Sequence, residues 1–306
     1  MAQELSAWLP RFACPECGSP IDPPIGDRMS CARCAHVYER RGGVWRFLVP
    51  TRHARLAPFA QQYRIVRERE GRRSQSGEYY RGLPTVARTD PHARDWQIRQ
   101  ETYGHLLRHV FAWGEQPSAV LDLGAGSAWL SHRLATLGHH VVAVDAIEDE
   151  ADGLGAIRHY AAPIVAVHAD FDAPPFVAGQ FDVVIFNGSL HYAPDVGATL
   201  VRARRMLAPG GTLVVMDSPM FHADRDGAAM VEQSVERIAT DCGLREVVQP
   251  GGGYLTFPSL AASADALQMA SEFVPSRGPI GWRMCRQLAR IRLGRQPAAF
   301  GLWVAR

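Results

Sequence analysis

The hydrophobic pattern is clearest from residue 119 onward, where short apolar runs alternate with amphipathic stretches. Val120-Leu121, Val141-Val142-Ala143-Val144, Ile164-Val165-Ala166-Val167, Val183-Val184-Ile185-Phe186 and Leu213-Val214-Val215-Met216 are apolar at consecutive positions. Runs of this kind predict strands buried on both faces, as in a parallel sheet covered by helices. Between the first two runs Trp129, Leu130, Leu134 and Leu137 mark a helix, with Gly138 as its stop. The result is a strand, glycine turn, helix and second strand, one βαβ unit.

Residues 51 to about 115 read differently. The segment 105–111 predicts a helix leading into the core and ending near Gly114 and Pro117. Before it, residues 71–77 have loop composition and are followed by Tyr79-Tyr80. Two readings stay open: a mobile lid whose Tyr and Arg grip a ligand, or a helical linker with solvated arginines.

Cysteines set the first fifty residues apart. Cys14-Pro-Glu-Cys17 and Cys31-Ala-Arg-Cys34 are two C-x₂-C pairs thirteen residues apart, each able to place two thiolates on one turn. Together they predict a four-sulfur zinc site, Zn²⁺ being structural because four thiolates leave no open position. Two disulfides or a redox pair are the weaker alternative in a reducing compartment. A piece this rich in Pro and Gly buries little apolar area, so the metal is expected to supply most of its folding energy. Val37-Tyr38 and residues 44–48 flank Arg41-Gly42-Gly43 as a hairpin.

Composition bounds this picture without redirecting it. With 306 residues, 47% hydrophobic and 21% charged, the chain is globular in type and long enough for about two domains. No run approaches the roughly 18 apolar residues of a spanning helix, and the opening lacks a signal peptide's pattern. A cytoplasmic protein with no membrane partner is expected. Net charge is +2, and all 33 basic residues are arginine, a bias that a GC-rich genome explains. Residues 51–115 nevertheless carry twelve Arg against seven acidic residues, enough to face a phosphate-bearing partner.

The glycine turn carries the most specific chemistry. Asp122-Leu123-Gly124-Ala125-Gly126-Ser127 places Trp129 where a dinucleotide site needs its third glycine, which disfavours a nicotinamide cofactor. A ligand of adenosine and an amino-acid tail fits instead: Gly124 and Gly126 allow close approach, Asp122 can attract the ammonium directly or through water, and Asp145 ends the next strand where it can accept both ribose hydroxyls.

These residues resemble the first two motifs of the class I S-adenosylmethionine-dependent methyltransferases, with Ala128 in place of the family's third glycine. The resemblance continues through residues 164–171, implying Asp170 at the adenine amino group and Phe171 beside the ring. It continues through 181–187 to Asn187 at the cofactor and acceptor edge, and through the Pro209-Gly210-Gly211 turn and the strand ending at Asp217. It implies a Rossmann-like α/β fold with a seven-stranded, mostly parallel sheet and helices on both faces, the last strand antiparallel. Residues 246–249 and 300–305 fit the two closing strands. The N-terminal stretch resembles the zinc ribbons of ribosomal-RNA guanine-N1 methyltransferases and of small methyltransferase-activator proteins.

The expected organisation is a zinc ribbon over residues 1–50, a helical connector or lid over 51–115, and a class I methyltransferase domain over 116–306. An insertion spans about 251–297, with a basic amphipathic helix over 282–293 read chiefly as a surface-packing element, a nucleic-acid or membrane contact being the alternative. The cofactor implied is S-adenosylmethionine. His191 is the general-base candidate, with Tyr192 beside it, because imidazole titrates near neutrality; packing near the cofactor is the alternative role. Residues 187–190 are not the N/D-P-P-Y motif of amino-group methylation, and no Pro-Cys pair follows the fourth strand. A small-molecule acceptor is favoured, with RNA held by the ribbon and the Arg-rich segment as the alternative. A non-catalytic cofactor sensor or assembly protein is the third reading.

Overall fold

The structure, a computed structural model, describes residues 8–73, 76–112 and 116–306, the side chains of 287 and 289 excepted. The expected helix stop at Gly114 and the middle of the 71–77 loop, Ser74 and Gln75, lie outside the described residues.

The chain begins with three short strands, β1 (Arg28–Ser30), β2 (Val37–Arg41) and β3 (Val44–Arg46), followed by helices α1 (Pro50–Arg69), α2 (Gly77–Gly82) and α3 (Ala93–Leu106). A π-helical turn over Leu107–Phe111 extends α3. The alternating region then gives β4 (Ala119–Leu123), α4 (Trp129–Thr136), β5 (His140–Asp145), β6 (Ile164–His168), β7 (Phe181–Asn187), α5 (Val196–Met206) and β8 (Leu207–Met216). The last third contributes β9 (Met220–Phe221), α6 (Asp224–Cys242), β10 (Leu255–Thr256), α7 (Phe257–Ala266), β11 (Ser271–Pro275), α8 (Ile280–Leu293) and β12 (Gly301–Ala305).

Ten strands make one sheet in the order β1-β2-β3-β6-β5-β4-β7-β8-β12-β11. From β6 to β11 this is the expected seven-stranded Rossmann-like sheet: β6, β5, β4, β7 and β8 run parallel, and β12 is antiparallel to both β8 and β11. Side-chain alternation builds a core on each face. Val120, Val141, Ile185 and Val214 pack with Trp129, Leu130 and Leu134 of α4 and Trp96 and Leu106 of α3. Leu121, Leu123, Val142 and Val184 pack on the other face with Leu200 and Ala203 of α5. Because the strand order runs outward from β4 to β5 and β6 and then returns to β7, a crevice opens at the carboxyl ends of β4 and β7.

Two features depart from expectation. The cysteine-bearing segment does not stand apart from the sheet: β3 pairs parallel with β6, and Phe12, Tyr38, Trp45 and Phe47 join the same core as Leu121. Shared apolar burial, not a metal alone, therefore holds this segment in place. Residues 246–249 are not the sixth strand. The side-chain amide of Gln62 accepts from the Val248 N–H (2.7 Å) and donates to its carbonyl (3.1 Å), so a side chain of α1 satisfies the backbone groups a neighbouring strand would take. The strand beside β12 is β11.

Candidate functional site

Gly124 and Gly126 both adopt left-handed backbone after β4, at φ +76° and +54°. At Gly124 the constraint is also one of space, since a Cβ there would sit 2.4 Å from the Ser189 Cβ. Ser189 comes this close because its hydroxyl donates to the Leu123 carbonyl at 2.5 Å, joining the ends of β4 and β7. The Gly126 N–H donates to Asp145 Oδ2 at 2.7 Å, and the Ile147 N–H to Oδ1 at 2.8 Å. Burial pushes Asp145 up to about 6 against these amides.

A cavity of about 390 Å³ lies over this turn, lined by Gly124, Gly126, Asp145, Asp170, Phe171 and Asn187 among others. Asp122 is not at its wall. It is buried beneath the turn, accepts from the Ser131 hydroxyl at 2.7 Å, keeps Oδ1 without a partner and is pushed up to about 7 by burial. An interaction between Asp122 and a ligand in this cavity therefore runs through the turn or through water.

Helix α1 roofs the cavity. Arg55, Phe59, Tyr63 and Arg67 recur every four residues, placing them on one helical face, and all four line it. Arg52 and Arg55 both donate to Asp170 Oδ2, at 2.7 and 2.6 Å. Arg67 donates to the buried Asp152 at 3.0 Å, and Arg73 to both oxygens of Asp149 at 2.8 Å. Arg72 pairs with Glu70 (3.1 Å) and Asp95. Five of the segment's twelve arginines thus meet carboxylates of the sheet loops or of its own helices, whereas Arg64, Arg69, Arg81, Arg88, Arg94 and Arg108 are exposed.

A second cavity, about 460 Å³, adjoins the first and shares Phe59, Tyr63, Arg99, Gly188 and Tyr192 with it. His191 and Asp217 line only the second. His191 Nδ1 lies 3.2 Å from the Ser218 hydroxyl, and burial lowers the imidazole to about 4, so it is neutral at neutral pH. Tyr192 stacks obliquely on His191 (4.1 Å) and on Phe59 (5.2 Å), and burial pushes its phenol well up. Asp217 follows β8 in left-handed backbone (φ +53°), buried, with both oxygens unpartnered. The nearby Thr102 hydroxyl is engaged by the Ile98 carbonyl (3.0 Å) and the Ser276 hydroxyl (2.8 Å). Burial raises Asp217, opposed by the guanidinium of Arg99.

At the other end of the chain's sheet, the Sγ atoms of Cys14, Cys17, Cys31 and Cys34 all lie within 4.8 Å of one another. Cys14 to Cys34 and Cys17 to Cys31 are each 3.5 Å apart. Four sulfurs at about 2.3 Å from a tetrahedral zinc are roughly 3.8 Å apart, so the donor set fits the metal in both type and spacing. The two knuckles share one backbone design. Gly18 N–H donates to the Cys14 carbonyl (2.8 Å) and Ala35 N–H to the Cys31 carbonyl (2.9 Å), with both residues left-handed. His36 is outside the cluster, 4.0 Å from Glu16.

The structure brings Gly124, Gly126, Asp145, Asp170, Phe171 and Asn187 to one cavity, and His191 to its neighbour, with Tyr192 between. Sequence reasoning missed Phe59, Tyr63, Arg67, Arg99 and Asp152. The four-residue spacing of Arg55, Phe59, Tyr63 and Arg67 was the available signal.

Residues 121–215 match the family model described as a methyltransferase domain. An uncharacterized methyltransferase of Mycobacterium tuberculosis is 36% identical over 114 residues, 37% of this chain and 56% of that protein. A malonyl-[acyl-carrier protein] O-methyltransferase of Hahella chejuensis is 29% identical over 150 residues, 42% of this chain and 51% of that protein. The chain thus spans about half the length of these curated relatives. Among solved structures, a 1,6-didemethyltoxoflavin-N1-methyltransferase of Burkholderia thailandensis is similar at a TM-score of 0.48 and 16% identity, over 94% of this chain and 98% of that one.

Proposed function

We propose that this chain is an S-adenosylmethionine-dependent methyltransferase acting on a small-molecule acceptor. The observation that carries the reading is the pair of adjoining cavities at the crevice of the parallel sheet, one over the Gly124–Gly126 turn with Asp145 and the other lined by His191 and Asp217. S-adenosylmethionine, when bound, supplies an electrophilic methyl group to a nucleophile held in line with it. Asp145 would accept the ribose hydroxyls, Gly124 and Gly126 would admit the backbone-proximal part of the cofactor, and Phe171 and Asn187 would flank it. Asp170, tied to Arg52 and Arg55, would offer the adenine amino group a carboxylate already shared with α1.

In the second cavity the chain supplies two proton-holding groups. His191, neutral and anchored to Ser218, would accept a hydrogen bond from the acceptor, with Tyr192 as the wall between acceptor and cofactor. Asp217, raised by burial and unpartnered, suits the removal of a proton from a hydroxyl or amine. Cys14, Cys17, Cys31 and Cys34 would hold Zn²⁺ as a structural ion.

The pairing of Arg52, Arg55, Arg67, Arg72 and Arg73 with carboxylates leaves about half of the segment's arginines for a phosphate backbone, and the adjoining cavities are what support the small-molecule reading over RNA. The test is incubation with methyl-labelled cofactor and fractionated cell extract. Label in the low-molecular-weight fraction supports the reading, and label in RNA or protein instead refutes the acceptor class. No transfer alongside cofactor binding would favour a sensor.

A further inference from the structure

Helix α8 turns an apolar face to solvent. Ile280, Met284, Leu288 and Ile291 are 73, 63, 66 and 82% exposed, and their spacing places them on one stripe. With Leu293, α8 carries five of the ten large hydrophobic residues that the described chain exposes. The opposite face is the packed one. Trp282 faces the body of the protein, where the guanidinium of Arg286 lies 4.1 Å from its ring centroid and 5.9 Å from that of Phe300. Arg286 also donates to the Ala298 carbonyl, which fixes the helix against the segment leading into β12.

Charge borders the stripe. By helical position Arg283 and Arg290 lie along one edge and Arg292 along the other, and all three are exposed. From residue 273 to residue 306 the chain has seven arginines and no acidic residue. An apolar stripe bordered by cations, on a helix too short and too charged to span, is the design of a helix that lies in a lipid headgroup layer. Arginine stems reach outward along the stripe while their guanidinium groups meet lipid phosphates. Nucleic acid would use the arginines but leave the apolar stripe in water, and no helix among the described residues is long and apolar enough to cross a membrane.

We propose that α8 docks this protein on the surface of an anionic phospholipid membrane, with Ile280, Met284, Leu288 and Ile291 inserted at the acyl boundary. Trp282 and Phe300 also line the second cavity, so docking sets the proposed acceptor pocket beside the bilayer. An acceptor drawn from the lipid phase follows from that placement, a consequence that rests on the methyl-transfer reading; the docking itself does not.

The test is flotation of the full chain with phosphatidylcholine vesicles and with vesicles in which half of the lipid is phosphatidylglycerol. The expected result is binding to the anionic vesicles only. Leu288→Glu abolishes it, and Arg283→Gln and Arg292→Gln each weaken it about fivefold. These exposed substitutions leave the melting temperature and S-adenosylhomocysteine affinity unchanged, which separates failure of docking from failure of the methyltransferase reading. Absence of binding to either vesicle overturns the proposal. So does equal binding to both, a dimer that Leu288→Glu dissociates without any vesicle binding, or RNA binding in place of vesicle binding.

Discussion

The backbone N–H of Gly126 donates to the carboxylate of Asp145 at 2.7 Å, tying the glycine turn after β4 to the end of β5. This bond fixes the carboxylate over the cavity, and it also offsets part of the cost of burying the charge. Asp145 stands near 6, so it is ionised at neutral pH and protonates in mild acid. Acceptance of ribose hydroxyls needs the ionised form. Affinity for S-adenosylhomocysteine should be level above about pH 7 and fall below pH 6, approaching tenfold per pH unit. Titration by calorimetry across that range checks it, and a flat profile would remove Asp145 from the proposed cofactor site.

Gly124 has no room for a side chain. Gly124→Ala should place a methyl against Ser189 and force left-handed backbone on a residue that disfavours it, costing on the order of 1–3 kcal/mol. A lower melting temperature and weakened cofactor affinity are expected together. Ser189→Gly in the same chain should recover part of both.

The two cysteine knuckles differ at one matching position, Gly18 in the first and Ala35 in the second, both left-handed. Ala35 is exposed, so Ala35→Gly should stabilise the chain by up to about 1 kcal/mol, whereas Gly18→Ala should cost a similar amount. Thermal unfolding of the two variants reads the sign directly.

If zinc occupies the four thiolates, freshly purified protein should contain one equivalent by metal analysis. Cys31→Ser should lose the metal and lower the melting temperature. The sheet should survive, because Phe12, Tyr38, Trp45 and Phe47 belong to the central core. Far-ultraviolet circular dichroism close to the parent's would show this. Global unfolding on metal loss would mean that the shared core contributes less than its burial suggests.

Arg67 meets Asp152, which is buried beside the cavity roof. Arg67→Ala should leave that carboxylate with only the ion pair to Arg73, destabilise α1 over the cavity and raise the dissociation constant for cofactor several-fold. Hydrogen exchange along α1 should quicken.

The central strands were legible because each is apolar at consecutive positions, a pattern that surface segments do not mimic. The four cysteines were legible from spacing alone. What failed was the assignment of residues 246–249 to the sheet. Glu-Val-Val-Gln has strand propensity, but the pairing of Val248 is with the side chain of Gln62, far away in sequence and invisible to local pattern. The role of α1 was obscured for a related reason: its arginines looked like a charged surface, and only the fold shows that Asp152 and Asp170 lie opposite them. Trp45 and Phe47 looked like parts of a free-standing hairpin, although β3 completes the sheet beside β6.

Calorimetric titration of S-adenosylhomocysteine into the full chain, beside Asp145→Ala, decides whether the cavity over the Gly124–Gly126 turn is a cofactor site. The expected result is one binding site per chain, with affinity lost in the variant while its melting profile stays cooperative. No binding to the parent chain, or equal affinity in both, would contradict it.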